Sequence, residues 1–339
     1  MFSISTACNH RTQHIPLTIT DILIDDECLE VTKMSNNQRS FEAEFELDPR
    51  PPSEGGLGDE HCKTTLKQIQ DIGRHRHEQI RIEYTTPKNE NTSAIYTITV
   101  FHDDSGIVIL GHKLPNLRCK LTVENKCMGV VKAQIMLEGL DDYEAEKLGE
   151  LVEHLNHEGQ NRKVVVIAPH GGEIEPGTDK QAEYVWNHLP HDRVSLWLCK
   201  GFSSPGLSDA HERWHITSTE ISERSFPKLR TIFEPKFEYA VAFHGWTQDS
   251  ICVGGNAESA DAGLISEIRD EIEKKLQGTN IEVEDTACPG GFNGDDPSNI
   301  VNRLGIKGIQ IEQCKRARRD HHDKIAQAVI NVISTRINS

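Results

Sequence analysis

An α/β fold, with a mainly parallel or mixed sheet flanked by helices and preceded by a β-rich N-terminal domain, is what three observations predict. From about residue 140 onward, apolar runs alternate with amphipathic helical stretches, the order that builds a central sheet covered on both faces. Val164-Val165-Val166-Ile167-Ala168 is continuously apolar, the pattern of a strand buried on both sides. Before residue 138 the chain alternates apolar and polar residues at period two, as half-buried strands do. A length of 339 residues accommodates two domains. The change of texture divides them into 1–138, a β-rich accessory domain, and 139–339, the α/β domain.

In the first domain, Phe41-Glu42-Ala43-Glu44-Phe45-Glu46-Leu47 and Ile80-Arg81-Ile82-Glu83-Tyr84 alternate strictly, and 94–101, 107–110, 120–123 and 130–136 are further strands. Residues 49–56, rich in proline and glycine, read as a loop, and 64–72 as a helix. Arg74-His75-Arg76-His77 alternates as on a strand, and the sequence assigns no chemistry to it. In the second domain, Asp141 or Asp142 caps a helix whose apolar positions are Ala145, Leu148, Val152 and Leu155. After the strand at 164–168, Thr178-Asp179-Lys180-Gln181 opens a helix with a capping-box pattern. Strands follow at 194–199 and 237–243. A helix over 260–276 buries Ile265, Ile268, Ile272 and Leu276 and stops at Gly278. Short strands at 281–284 and 308–312 precede a closing helix over 320–337, with Ile325, Val329, Val332 and Ile333 on one face.

The net charge of -16 argues against general nucleic-acid binding, which needs a basic surface. No apolar run approaches the ~20 residues of a membrane span. Residues 1–20 are polar and lack the apolar core of a signal peptide, so the expectation is a soluble cytoplasmic protein, release by lysis being equally compatible. Nine cysteines without a C-x-x-C pair read as reduced, mostly buried thiols rather than a disulfide framework.

Three strand ends carry polar residues, and in open sheets of this class sites form at the carboxyl ends of strands. His170-Gly171-Gly172-Glu173-Ile174-Glu175 sets a histidine and two carboxylates just past a buried strand, with glycines that let the backbone turn. Phe243-His244-Gly245 repeats a strand-end histidine. Glu312 ends the strand that follows Asn302-Arg303. Imidazole nitrogens and a carboxylate oxygen are zinc ligands, and a catalytic site uses about three of them plus water. A carboxylate at a neighbouring strand end is placed to act as general base. Each motif alone also reads as an ordinary turn, a core histidine or an exposed acid.

Together, His170 through Thr178, His215-Ile216-Thr217-Ser218-Thr219, Phe243-His244-Gly245, and Asn302-Arg303 with Gly308 through Glu312 resemble, in order, the phage-type poly-γ-glutamate hydrolases. These are zinc enzymes that cut γ-glutamyl polymers and share a core with zinc carboxypeptidases and succinylglutamate desuccinylases. The resemblance covers about residue 164 to the C-terminus; the chain before residue 140 has no counterpart in it. It implies a zinc carboxypeptidase-like core with zinc on His170, Glu175 and His244, and Glu312 as catalytic acid/base. Carboxypeptidases take the glutamate three residues after the first histidine, here Glu173; the family pattern takes the one five residues after, and Glu175 is favoured. Arg303 is implied for the substrate carboxylate or oxyanion, with a structural salt bridge as the alternative. His215 is implied as a substrate contact or as loop packing. The chain departs from the family in the basic run Lys315-Arg316-Ala317-Arg318-Arg319, which reads either as a patch holding the polymer's carboxylates through Arg316 and Arg318 or as a solvated helix start. The expected activity is hydrolysis of a peptide-like or γ-glutamyl polymer. The alternatives are a carboxypeptidase-like or N-acyl amino acid deacylase on the same core, and a non-catalytic polymer- or partner-binding protein.

Overall fold

The computed structural model describes residues 39–85, 91–104, 106–112, 118, 126–158, 161–259, 261–286 and 288–338. The strand expected at 120–123 and the polar stretch 1–20 lie outside the described residues. Alternation in the first half does what it implies. Strands β1 (Ser40–Leu47), β2 (His61–Thr64), β3 (Gln79–Thr85), β4 (Asn91–Phe101), β5 (Ile107–Leu110) and β6 (Cys127–Lys132) close into a barrel in the order β1-β5-β2-β4-β3-β6. Closure leaves no unpaired strand edge. Ala43, Phe45, Ile80, Ile82, Ala94, Tyr96 and Ile98 fill its interior. Helix α1 (Leu66–Asp71) is capped by the Thr65 hydroxyl, which accepts from the Gln68 N–H, and sends Ile69 into the same core. Arg74 to His77 are not a strand, which corrects the expectation: Arg74 N–H closes back on the Ile69 carbonyl and His77 sits at φ 67°, so the segment turns between α1 and β3.

The second half forms a seven-stranded mixed sheet, ordered β12-β11-β13-β10-β8-β9-β7. Its strands are β7 (Leu151–Asn156), β8 (Val164–Gly172), β9 (Val194–Gly201), β10 (Phe237–Gly245), β11 (Ser250–Gly254), β12 (Glu282–Val283) and β13 (Gly305–Gln313). The centre β13-β10-β8-β9 is parallel, while β7 and β11 run against their neighbours β9 and β13. Successive side chains of β8 go to opposite faces. Val164, Val166 and Ala168 join the core under helices α3 (Thr178–His188), α6 (Leu264–Lys275) and α9 (His322–Ile337). Val165 and Ile167 join the core formed with α4 (Ala210–Trp214), α5 (Pro227–Ile232) and α7 (Ile300–Leu304). Each fully buried aliphatic side chain of this kind contributes roughly 1.5–3 kcal/mol. The second core also takes in Ile95, Ile135 and Met136 from the barrel half, and from Arg39 onward the chain packs as one compact unit.

Three sequence expectations are corrected here. The helix expected to run through Val152 and Leu155 stops early. α2 (Asp142–Leu148) carries the capping box between Asp141 and Glu144 and ends at Gly149, whose left-handed φ of 67° reverses the chain into β7. Thr178 does not cap α3; its hydroxyl donates to the carbonyls of His170 and Glu175, and Gly177 holds the N-cap position. Cys252 of β11 and Cys288 form a disulfide, whereas Cys62, Cys199 and Cys314 are free thiols. Among the described residues no helix is long and apolar enough to cross a membrane.

Candidate metal centre

The carboxyl ends of β8, β10 and β13 lie side by side, because β10 pairs with both others in parallel register. A break in register after Ala168 frees His170 from the ladder. The chain then turns sharply: Gly172 has φ 67°, and a Cβ there would stand 2.7 Å from the Gly201 carbonyl. The turn is tied by the Glu175 N–H donating to the His170 carbonyl at 2.9 Å, which brings Glu175 back over His170. His244 ends β10 opposite Glu312 of β13. His170, Glu175, His244 and Glu312 are 3%, 6%, 3% and 4% exposed, so all four side chains are buried.

Within it, His170 Nδ1 lies 3.2 Å from Glu175 Oε1 and 3.2 Å from His244 Nδ1, and His244 Nδ1 lies 3.5 Å from Glu175 Oε2. The far nitrogens are engaged elsewhere. His170 Nε2 is 2.9 Å from the Ile216 carbonyl, which can only accept, so Nε2 carries a proton and, in the neutral ring, Nδ1 keeps its lone pair. His244 Nε2 meets the Ser218 hydroxyl at 3.4 Å. Two inward-facing imidazole nitrogens oriented from behind, with one carboxylate, are donors that could hold a divalent metal, and their chemistry fits zinc. The Gly245 N–H, donating to Glu175 Oε2 at 2.8 Å, fixes the carboxylate.

His215 also comes close: one ligand atom each of His170, Glu175 and His215 lie within 4.8 Å of one another. His244 is the better third ligand, because its Nδ1 faces both partners at 3.5 Å or less. His215 Nδ1 is instead taken by Glu60, and its ring lies tilted 4.1 Å from His170 and stacks 4.5 Å from His211. Glu173 is exposed and turned away, its Oε2 accepting from the Ser203 N–H at 2.6 Å.

The electrostatics follow from this packing. Burial works against ionised Glu175, but the rings of His170 and His244 hold its carboxyl well below the usual carboxylate range. Burial likewise disfavours the His170 imidazolium, and Glu175 more than offsets it, raising that ring's proton affinity. His244 is lowered by burial against the pull of Glu175. Glu312 goes the other way: burial and the facing Glu175 carboxylate push it well above the ordinary range, opposed by Arg318 and by the Gln310 side-chain N–H donating to its Oε1 at 2.9 Å.

The arginines divide. Arg318, on α8 (Lys315–Asp320), is buried at the site; its guanidinium donates to the Pro176 carbonyl at 2.8 Å and the Gln313 carbonyl at 3.3 Å, and a Cβ at position 245 would overlap it, which requires Gly245. Arg316 is a correction: it donates to the Asn280 carbonyl at 2.5 Å and faces Asp249 at 3.8 Å, away from the cluster. Arg303 is a second correction. It sits on α7 at the opposite end of β13 from Glu312, paired with Glu223, bonded to the Ile221 carbonyl at 2.6 Å and lying over the Phe233 ring. Sequence reading missed Glu60 and Arg118, whose partners in the second half are remote in the chain and leave no local pattern; Ser218 and Gln310 lie inside the quoted motifs, but no role was assigned to them.

Residues 141–336 match the family model described as poly-gamma-glutamate hydrolase. The chain is similar to two curated proteins of Bacillus subtilis. UPF0714 protein YmaC is 27% identical over 165 residues, 48% of this chain and 62% of YmaC. The SPbeta prophage-derived UPF0714 protein YoqZ is 32% identical over 131 residues, 35% of this chain and 43% of YoqZ. The chain thus spans about half the length of the curated relatives it matches. A solved bacteriophage poly-gamma-glutamate hydrolase is 24% identical with a TM-score of 0.42, covering 56% of this chain and 90% of that one.

Proposed function

The chain belongs to the poly-γ-glutamate hydrolase family, and from that premise we propose that it is a zinc-dependent hydrolase cutting γ-glutamyl amide bonds of poly-γ-glutamate or a related polymer. The observation that carries this reading is the convergence of His170 Nδ1, His244 Nδ1 and Glu175 within 3.5 Å, beside a buried Glu312. His170, Glu175 and His244 would hold the zinc. When bound, zinc supplies Lewis-acid polarisation of the scissile carbonyl and lowers the pKa of a water to about 7.

The chain's own groups do the rest. Glu312 takes the water's proton and returns it to the leaving amine, and its raised proton affinity suits a group that must alternate between the two states. Arg318 sets a fixed positive charge beside two carboxylates and, with the metal, favours charge developing on the carbonyl oxygen. His215 contacts the substrate. The rival deacylase would use Glu173 as ligand, and that side chain faces Ser203 instead. We take 1–138 as an accessory domain and 139–339 as the hydrolase domain. The Cys252–Cys288 disulfide belongs with an oxidising compartment, which favours release by lysis over a working life in the cytoplasm.

The test is direct. Full-length protein with added zinc is incubated with poly-γ-glutamate, and polymer size and new amino groups are followed. Shortening by the parent and none by Glu312→Gln is the expected result. An uncut polymer with the zinc-loaded parent contradicts the substrate assignment.

A further inference from the structure

Glu60 and Arg118 lie outside the segment that matches the family, on the barrel half of the chain, yet both close on the strap of residues behind the metal centre. Glu60 is 9% exposed, a buried carboxylate at the edge of β2. Its Oε1 accepts from His215 Nδ1 and its Oε2 accepts from the Thr217 N–H at 2.7 Å. Arg118 donates to the His215 carbonyl at 2.9 Å, and its guanidinium lies 3.6 Å from the Glu60 carboxylate. The same guanidinium reaches the Arg213 carbonyl at 3.1 Å and, in the barrel, the Ile95 carbonyl at 3.3 Å and the Asp59 carbonyl at 3.1 Å. Ring, carbonyl and the N–H two residues on are therefore all gripped from the barrel.

What lies between those grips matters. The Ile216 carbonyl, flanked by the two held residues, is the acceptor that sets the His170 tautomer. Ser218, one residue further, meets the back of His244. Displacing the strap removes the orienting partners of both imidazoles and shifts the His215 ring, whose centroid lies 4.1 Å from that of His170. Partners behind a metal-bound histidine typically change metal affinity or activity by about 10–100-fold.

We propose that Glu60 and Arg118 are positioning residues of the active site, so that the barrel half completes the metal centre by holding the strap at residues 215–218. This rests on the reading of His170, Glu175 and His244 as the metal site.

The experiment uses the full chain and measures zinc dissociation constants by chelator competition, melting temperature, and kcat/KM on poly-γ-glutamate. The variants are Glu60→Gln, Arg118→Gln and, as a control, Glu78→Gln. Glu78 is also a buried barrel carboxylate reaching across the chain, 2.8 Å from Arg224, but it touches nothing in the strap. The expected result is zinc binding about tenfold weaker or more, with a parallel fall in kcat/KM, in Glu60→Gln and Arg118→Gln, while Glu78→Gln keeps both at parental values despite a lowered melting temperature. Parental zinc affinity in both strap variants overturns the proposal, as does a loss that tracks melting temperature equally in all three. A parent that binds zinc but leaves the polymer uncut defeats the substrate assignment alone, and the zinc constants then decide the proposal by themselves. A parent that binds no zinc overturns both.

Discussion

The barrel and the sheet show two ways in which a chain places polar groups. In the sheet, His170, His244 and Glu312 stand at adjacent strand ends, and a short turn after β8 returns Glu175 to them, so strand pairing and one local turn bring the four together. In the barrel, the polar groups that matter are single side chains reaching across to the other half: Glu60 and Arg118 to the strap, and Arg81 to Glu150. The first arrangement follows from strand order and short motifs. The second depends on how two halves with a shared core come to rest against each other.

Glu312→Gln tests the sheet side with the largest effect. Loss of the acid/base lowers kcat by on the order of 10²–10⁴ while zinc content is kept, as turnover and elemental analysis on the same sample measure. Stability moves the opposite way in the metal-free protein. The folded state holds the Glu312 proton to higher pH than the unfolded chain does, so stability falls as pH rises from the ordinary value of 4.5 through the raised folded one. The glutamine variant escapes that loss, and its melting temperature at neutral pH is expected to exceed the parent's; an equal or lower value contradicts the burial argument.

Arg81→Ala tests the barrel side. Arg81 makes a two-pronged pair with Glu150, at 2.6 and 2.8 Å, and removing it leaves a buried carboxylate without its partner. A loss of about 3–5 kcal/mol in denaturant unfolding is expected, with zinc affinity kept at permissive temperature. Unchanged stability would mean that the Arg81–Glu150 pair adds nothing to the joining of the halves.

The Cys252–Cys288 bond comes next, closing a chain separation of 36 residues. Replacing both cysteines by serine is expected to lower stability by about 3–4 kcal/mol under oxidising conditions, and no difference from the parent would show that the bond is not formed there. Because Cys252 sits opposite Glu312 across β11 and β13, a small fall in kcat accompanies it. The smallest effect belongs to Arg316→Ala. With its guanidinium on the Asn280 carbonyl, its loss changes stability by no more than about 0.5 kcal/mol and leaves kcat/KM intact; a large rise in KM would restore it as a substrate contact.

What was legible in the sequence follows the same division. The alternation of 41–47 and 80–84, the apolar run at 164–168 and the strand-end histidines are patterns within a few residues, and each appears in the structure as an element or at its end. β7 was misread as helix because Val152 and Leu155 also fit helical spacing, and only Gly149 marks the break. Arg303 and Arg316 were drawn toward the site because a free arginine and a paired one look alike in sequence. Their partners, Glu223 and Asn280, lie 80 and 36 positions away. Glu60 is 155 positions from His215, and no spacing rule connects them.

The central claim is that His170, Glu175 and His244 hold one catalytic zinc. Elemental analysis of the full-length protein purified without chelator, beside His170→Ala and His244→Ala, tests it most directly. The account predicts about one zinc per chain in the parent and little in either variant. Parental zinc in both variants, or none in the parent after zinc is supplied, would contradict it.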